Sequence, residues 1–178
     1  AEGRPTGERG SLDPDLVVAG ADYAHVETAL LDRSSRSYGE KYWASRVVAP
    51  SMFVVYLGLS KALPGLAHHN LYFREDSGTH FDAIFRKPAW PEDPCFYLSA
   101  ITKSDPGMAP EGGENLFLLV PVAAGLADDD ATRERYADHA IRHAEKMLGE
   151  KLLDSAKVRR VFSQRDFARD YNAWKGTA

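Results

Sequence analysis

The chain has 178 residues, 44% of them hydrophobic and 27% charged, and its 26 acidic and 22 basic residues give a formal net charge of −4. This length suits a single domain with a substantial core, and the composition is ordinary for a globular protein. No block of Lys and Arg stands out, so we do not expect nucleic acid as a partner, because phosphate binding needs clustered positive charge.

The cysteine content and the hydropathy of the sequence indicate the cellular compartment of the protein. Cys95 is the one cysteine in the sequence, which excludes an intrachain disulfide and indicates a reducing environment. The N-terminal residues lack the apolar core of a signal peptide, and apolar runs such as 52–59 fall short of the ~20 residues that a membrane-spanning helix needs. We therefore expect a cytoplasmic protein that could still bind peripherally to the surface of a membrane.

The first elements in chain order are one strand and one helix. Residues 1–14 are rich in Gly, Pro and charge and are predicted to be loose. The run DLVVAGAD (15–22) reads as a short buried strand, and Asp22 is a plausible N-cap for a helix over residues 23–31.

A second short helix is predicted over YGEKYWASR. Ser37 and Glu40 have the spacing of a capping box ahead of it. Tyr38, Tyr42 and Trp43 would share one face of this helix, because side chains three to four residues apart are neighbours on a helix.

The middle of the chain is predicted to form five strands. The first run is apolar at both odd and even positions, so we expect both of its faces to be covered. The turn at 75–78 reads as a hairpin, and Pro121 should end a strand or lie at a sheet edge, because proline cannot donate to the ladder. The five runs are SMFVVYLGL (51–59), HNLYFRE (69–75), THFDAIF (79–85), CFYLSAI (95–101) and LFLLVPV (116–122).

The C-terminal part is predicted to be helical. The acids 128–130 favour the positive end of a helix over 131–148, and Gly149 should stop it. A second capping box, Ser163 with Asp166, opens DFARDYNAWKG, which Gly176 would close. A run of strands followed by helices favours an α+β fold, with a five-stranded, mainly antiparallel sheet and helices packed on one side of it.

The search for reactive groups gives no catalytic residue and no metal site. His139 and His143 lie four apart on a helix, a zinc-ligand spacing, yet no HExxH pattern accompanies them, so we expect solvated surface histidines. The pair His68 and His69 precedes a strand, with one ring expected to face inward and form hydrogen bonds. Cys95 is expected to be a small core residue.

The aromatic residues of the predicted strands leave two interpretations open. They could form an ordinary core, or they could line a second face of the sheet that binds a long apolar ligand, since ligand sites are mostly hydrophobic with few polar groups. The candidate substrate-binding residues are Phe53, Tyr56, Tyr72, Phe96, Tyr97 and Phe117.

Five separated segments resemble bacterial carotenoid desaturases of the phytoene dehydrogenase type. They occur in the family's order and with similar gaps, and the resemblance runs over nearly the whole chain from Leu16 on. The segments are ADYAHVE (21–27), YWASRVVAPSMFVVYLGL (42–59), LAHHNLYF (66–73), PAWPEDPCFYLSAITKSDPGMAPEGGENLFLLVPVAAG (88–125) and RDFARDYNAWKGTA (165–178).

The resemblance implies a part of a larger enzyme. Family members are FAD flavoproteins with an amine-oxidase-like plan, which introduce double bonds into long polyenes by hydride transfer to the flavin. The family's GxGxxG fingerprint and its C-terminal Gly-rich segment are absent from the sequence. The resemblance therefore implies a fragment of a two-domain flavoprotein, comprising its substrate-binding region and inactive when isolated, whose parent contacts a polyene and the membrane surface.

One edge of the cofactor site would fall within the chain. The resemblance implies that residues 1–22 hold a strand returning from the FAD-binding domain, with Ala19, Gly20 and Ala21 near the cofactor, and that residues 23–178 form the substrate-binding domain. Without the fingerprint, we do not expect the chain to hold FAD by itself. The alternatives are a related isomerase, saturase or ketolase, or a stand-alone module for apolar ligands or membrane docking. The sequence predicts no oligomeric state.

Overall fold

The computed structural model describes residues 10–178, so the first nine positions of the predicted loose segment lie outside the described residues. The strands are β1 (Ser51–Leu59), β2 (His69–Tyr72), β3 (Phe96–Ala100), β4 (Glu114–Val122) and β5 (Ala156–Phe162). The helices are α1 (Tyr23–His25), which continues as a π-helical turn over Val26–Leu30, α2 (Glu40–Ser45), α3 (Gly78–Phe85), α4 (Asp130–Leu148) and α5 (Gln164–Tyr171). Short 3-10 turns cover Arg33–Ser35, Ile101–Lys103, Pro106–Met108, Leu153–Ser155 and Trp174–Gly176.

The strands form one antiparallel sheet in the order β2-β3-β4-β1-β5. β1 pairs with β4 along its whole length, from Ser51 opposite Val122 to Leu59 opposite Glu114. Pro121 is the penultimate residue of β4, which agrees with its predicted place at a strand end. The α+β fold class with a five-stranded antiparallel sheet is confirmed.

Alternation along the strands divides the sheet into two faces. In β4 every second residue is buried from Glu114 to Val122, and the residues between are half-buried. Successive strand side chains point to opposite faces, so one face is sealed and the other is partly open. The prediction that both faces of β1 are covered is therefore only partly correct, because Val54 is buried but Tyr56 is 38% exposed.

Helix α4 seals the covered face. Its apolar stripe at spacings of three and four packs into the core beside Val55, Leu57 and Leu118. Asp129 caps the first turn by accepting a hydrogen bond from the Thr132 N–H, and Gly149 ends the helix with a φ of 70°. The stripe consists of Tyr136, Ala137, Ala140, Ile141 and Ala144.

Helix α5 is attached to α4 through a buried ion pair. The predicted capping box is present: Ser163 and Asp166 exchange side-chain and backbone hydrogen bonds. Arg133 of α4 donates to the Asp166 carboxylate at 2.7 Å and to the Val161 carbonyl at 3.1 Å. Burial alone would raise the pKa of Asp166, but the hydrogen bond from the Ser163 N–H and the Arg133 guanidinium outweigh it and lower that pKa.

The predicted first strand, residues 15–22, does not form. No described residue pairs with this segment, and Leu16, Val17 and Val18 are exposed. A strand needs a neighbour to satisfy its backbone groups, so a short apolar run alone does not make one. Asp22 is confirmed as the N-cap of α1 and also accepts from the Trp174 N–H.

The predicted strand THFDAIF is a helix, α3. His80 and Ile84 are its buried residues and lie four apart, which is helical spacing, so the predicted hairpin at 75–78 is also wrong. The sequence analysis missed strand β5, AKVRRVF. It is an edge strand, and its Lys and Arg residues obscure the alternation of apolar and polar residues that is typical of a strand.

Two caps also differ from the prediction. Helix α2 begins after Gly39, and Ser37 caps nothing: its N–H donates to the buried carboxylate of Glu27 at 2.8 Å. Helix α5 ends at Asn172, whose φ is 54°, and Gly176 closes a separate turn. The predicted shared helix face is only partly correct, because Tyr38 precedes α2. Its ring still stacks on that of Tyr42 at a centroid distance of 4.0 Å and meets that of Trp43 edge-on at 6.0 Å.

Core burial makes a direct stability prediction. Leu118 is 1% exposed, so Leu118→Ala is expected to lower the free energy of unfolding by about 2–5 kcal/mol. Leu71→Ala is the matched control: Leu71 is 67% exposed, and its loss should stay within about 0.5 kcal/mol. Urea unfolding followed by near-UV circular dichroism measures both. Equal losses for the two variants would contradict this burial pattern.

The buried ion pair makes a pH-dependent prediction. Folding lowers the pKa of Asp166, so its ionised form stabilises the folded state at pH values above the ordinary carboxyl pKa. This stabilisation is lost as the pH falls through the pKa of the folded state. Asp166→Asn should therefore cost roughly 2–4 kcal/mol at pH 7 and less near pH 3. The exposed Asp154→Asn is the control. A loss that does not shrink in acid, measured by urea unfolding at the two pH values, would contradict the role of the charge.

Candidate functional site

Three of the six candidate substrate-binding residues lie on the covered face. Phe53 is 0% exposed and meets the rings of Tyr136 and Trp90 edge-on, at centroid distances of 5.0 and 5.6 Å. Phe96 is also buried, and Tyr72 stacks on it at 4.6 Å. Burial raises the pKa of the Tyr136 phenol far above its usual range. Phe53 and Phe96 thus belong to the core and the half-buried Tyr72 packs against it. A ligand contact stays a prediction for all six residues, and the proposal below is argued from the other three.

The other three candidates lie together on the opposite face. The ring centroids of Tyr97 and Phe117 are 6.1 Å apart, and those of Phe117 and Tyr56 are 5.4 Å apart. The ring of His69 continues the row at 5.9 Å from Tyr97. Together these four rings, which we call the aromatic strip, cross β2, β3, β4 and β1.

Strand register places the aromatic strip on one face. Tyr56 is directly opposite Phe117, Phe117 is opposite Ser99, and Ser99 is opposite His69. Directly opposed residues of antiparallel strands share a face, and Tyr97, two residues from Ser99, shares it as well. The strip therefore runs across the strands, on the face that α4 leaves uncovered.

An apolar cavity of about 150 Å³ adjoins Tyr97 of the strip, between β2, β3 and α3. Leu71 and Phe73 line it from the β2 side, and Phe81 lines it from α3. All three side chains are exposed. The sequence analysis missed this corner because it read α3 as a strand.

His80 holds α3 against the sheet. Its Nδ1 accepts a hydrogen bond from the Cys95 N–H at 2.9 Å, so the neutral ring carries its proton on Nε2, which donates to the Pro121 carbonyl at 2.8 Å. The buried ring thus joins α3 to the start of β3 and the end of β4. Cys95 is buried, as predicted.

A polar network lies at the β2 end of the aromatic strip. The His69 Nδ1 is 2.6 Å from the Tyr97 hydroxyl, and the His68 Nδ1 is 2.7 Å from the Ser104 hydroxyl. The two imidazole rings stack at a centroid distance of 4.1 Å. Hydrogen bonding of this pair was predicted, but the buried position was not correct: His69 is exposed and His68 half-buried.

The predicted cofactor edge offers no cradle. Ala19, Gly20 and Ala21 are all exposed, and a Cβ built on Gly20 would meet no atom within 4 Å. No close backbone approach is therefore required at Gly20 by the described part of the chain. The described residues do not form a site that fits FAD, and a contact from these three positions stays a prediction.

The histidines of α4 carry no metal site. No cluster of three or more His, Cys, Asp or Glu side chains that could hold a metal ion occurs in residues 10–178. The prediction of a solvated surface residue is wrong for His143, whose side chain is 9% exposed and lies edge-on to Phe96. Burial lowers the pKa of His143, with Asp93 opposing that shift. His139 bonds to the Glu92 carbonyl.

Between residues 10 and 178, none of the helices combines the length and the hydropathy that crossing a bilayer requires.

Comparison with known proteins identifies the family. No family model matches the chain. It is 42% identical over 165 residues to a carotenoid 3,4-desaturase of Haloarcula japonica, covering 93% of this chain and 33% of that protein. It is 33% identical over 177 residues to a lycopene-forming phytoene desaturase of Paracoccus, covering 94% and 34%. It is 35% identical over 170 residues to a 4,4'-diaponeurosporene oxygenase of Staphylococcus haemolyticus, covering 93% and 33%.

Each of these three matches covers 93–94% of the chain. The chain belongs to the carotenoid desaturase family, also called the phytoene desaturase family. It spans about a third of the length of the curated relatives it matches.

Replacing one aromatic residue on each face of the sheet with lysine tests how the candidate substrate-binding residues are divided between the two faces. Phe53→Lys places a charge in the sealed core and is expected to unfold the chain or cost more than about 4 kcal/mol. Phe117→Lys places the same charge on the half-buried open face and should cost roughly 1 kcal/mol. Thermal unfolding by circular dichroism compares them. A stable Phe53→Lys variant would contradict the assignment of faces.

Proposed function

We propose that the chain is the substrate-binding region of an FAD-dependent carotenoid desaturase, and that the aromatic strip contacts a long polyene. One observation carries this proposal: a row of aromatic rings lies on the one sheet face that α4 does not cover. Membership of the carotenoid desaturase family supports the class of ligand.

The dimensions of the strip suit an extended apolar chain. Four neighbouring strands are separated by three spacings of about 4.8 Å, so the strip is about 14 Å long. A rod-like polyene lying across the strands would contact every ring of the strip in turn. Burial of apolar surface supplies the binding energy, and the rings offer flat faces to the conjugated chain.

The residues of this chain bind and orient the substrate and exclude water from it. FAD, where the family's enzymes bind it, supplies a hydride acceptor. The described residues present no cradle for this cofactor, so in the proposed parent enzyme most of its contacts would come from residues outside this chain. No acid or base of this chain is assigned a chemical step.

A reaction other than desaturation is the second candidate. The oxygenase of Staphylococcus haemolyticus is as similar to this chain as the Paracoccus desaturase is, at 35% against 33% identity. An isomerase, saturase or ketolase of the same group would use the same apolar face. Product analysis after incubation of phytoene with the longer parent enzyme, loaded with FAD, separates these activities, because a desaturase lengthens the conjugated system and an isomerase does not.

We also propose that the protein acts in the cytoplasm at the surface of a membrane. Long polyenes partition into bilayers, so the site needs access to lipid. The exposed apolar corner formed by Leu71, Phe73, Phe81 and Phe85 supports such a contact, because large apolar side chains grouped on a surface favour an interaction partner.

Polyene binding by the chain tests the proposed function. Lycopene in detergent micelles is expected to co-elute with the chain in size-exclusion chromatography and to change its visible absorption. Phe117→Lys should weaken this binding at least about tenfold, because it removes a ring from the centre of the strip and leaves a charge under the ligand.

Met147→Lys is the matched control, since it adds the same charge to an exposed position of α4. Its lycopene affinity should equal that of the unmodified chain. Absence of lycopene binding, or equal weakening by both substitutions, would contradict the proposed role of the open face.

A further inference from the structure

The aromatic strip ends in a hydrogen-bonded polar pair. The His69 Nδ1 and the Tyr97 hydroxyl are 2.6 Å apart, and neither group forms an ion pair or a hydrogen bond with a carboxylate within residues 10–178. The Tyr97 ring is also part of the apolar row, at 6.1 Å from Phe117. A hydrogen-bonded polar pair is therefore built into the β2 end of the aromatic strip.

Both tautomers of His69 leave the pair with one donor and one acceptor. If the Tyr97 O–H donates to Nδ1, then the His69 Nε2–H remains a donor and the phenol oxygen an acceptor. If Nδ1–H donates to the phenol oxygen, then the phenol O–H and the Nε2 lone pair remain. A hydroxyl group needs one partner of each kind, and the pair supplies both in either state.

Neighbouring contacts fix the position of the His69 ring. It stacks on His68 at 4.1 Å, and His68 is itself held by the Ser104 hydroxyl at 2.7 Å. The backbone carbonyl of His68 accepts from the Ala100 N–H at 2.8 Å, which extends the pairing of β2 with β3. A fixed pair loses little conformational entropy when a ligand binds.

We propose that the His69–Tyr97 pair recognises an oxygen-bearing group, a hydroxyl or a carbonyl, on a polyene that lies along the strip. This inference rests on the proposed function and names a feature of its substrate. The relevant free energy is that of desolvation. A pure hydrocarbon covering the pair would remove water from its free donor and acceptor without replacing those hydrogen bonds, whereas an oxygen atom at the same place would replace them.

Two matched polyenes test this inference with the same micelle assay. The chain is titrated with lycopene and with lycopene that carries one hydroxyl group. The hydroxylated polyene is expected to bind about tenfold more tightly. Tyr97→Phe keeps the ring but removes the hydroxyl, and His69→Phe keeps a ring but removes both nitrogens. Each should reduce the ratio of the two affinities to about twofold or less.

The affinity ratio separates a polar contact from a general effect on binding, because any loss of apolar contact is common to both polyenes. Tyr171→Phe is the control, since Tyr171 is an exposed tyrosine of α5 outside the strip and its variant should retain the full ratio. Circular dichroism confirms that each variant is folded.

The possible outcomes distinguish the two proposals. Equal affinities for the two polyenes in the unmodified chain would overturn the polar contact but leave the apolar strip intact. A ratio unchanged by Tyr97→Phe and His69→Phe would overturn it as well. Failure to bind either polyene would overturn the proposed function and the inference together.

Discussion

The account depends on a single packing arrangement: one long helix, α4, covers only one face of the five-stranded sheet. Its stripe of small and apolar residues, centred on Ala140 and Ile141, lies against side chains that alternate along β1 and β4. Because alternate strand residues point to opposite faces, sealing one set leaves the other set uncovered. The same strands thus provide a core on one side and an aromatic surface on the other.

This arrangement separates stability from binding. Phe53 and Tyr56 are three residues apart on one strand, yet the first is sealed against α4 and the second is open. Side chains of the open face can therefore vary with little effect on the core. Within this surface the polar pair at the β2 end is the feature that we propose distinguishes one polyene from another, because hydrogen bonds left unmade cost more than a slightly poorer apolar fit.

The sequence predicted the elements whose signals are local. Helix α4 was identified from its helical periodicity and its capping residues, the start of α5 from the Ser163 capping box, and the central strands from their apolar runs. The family was recognised from motifs spread over the chain. Prediction failed where tertiary contacts determine the structure. The Leu16–Val18 run is not a strand because no described strand pairs with it, and α3 is a helix held by hydrogen bonds from His80 to distant backbone groups. Strand β5 was missed because it lies at the sheet edge and its charged residues obscure the alternating pattern. The candidate aromatics were identified, but their two faces were not, because the face that a helix covers depends on the register and position of α4. The His69–Tyr97 pair joins different strands and gave no local signal.

Fluorine NMR of the chain with 3-fluorotyrosine incorporated tests the two-faced arrangement most directly. Resonances are assigned by single Tyr→Phe substitutions, and lycopene in micelles is compared with micelles alone. The account predicts that the signals of Tyr56 and Tyr97 move on addition of lycopene while that of the buried Tyr136 stays in place. Unchanged signals from Tyr56 and Tyr97, or a shift confined to Tyr136, would contradict it.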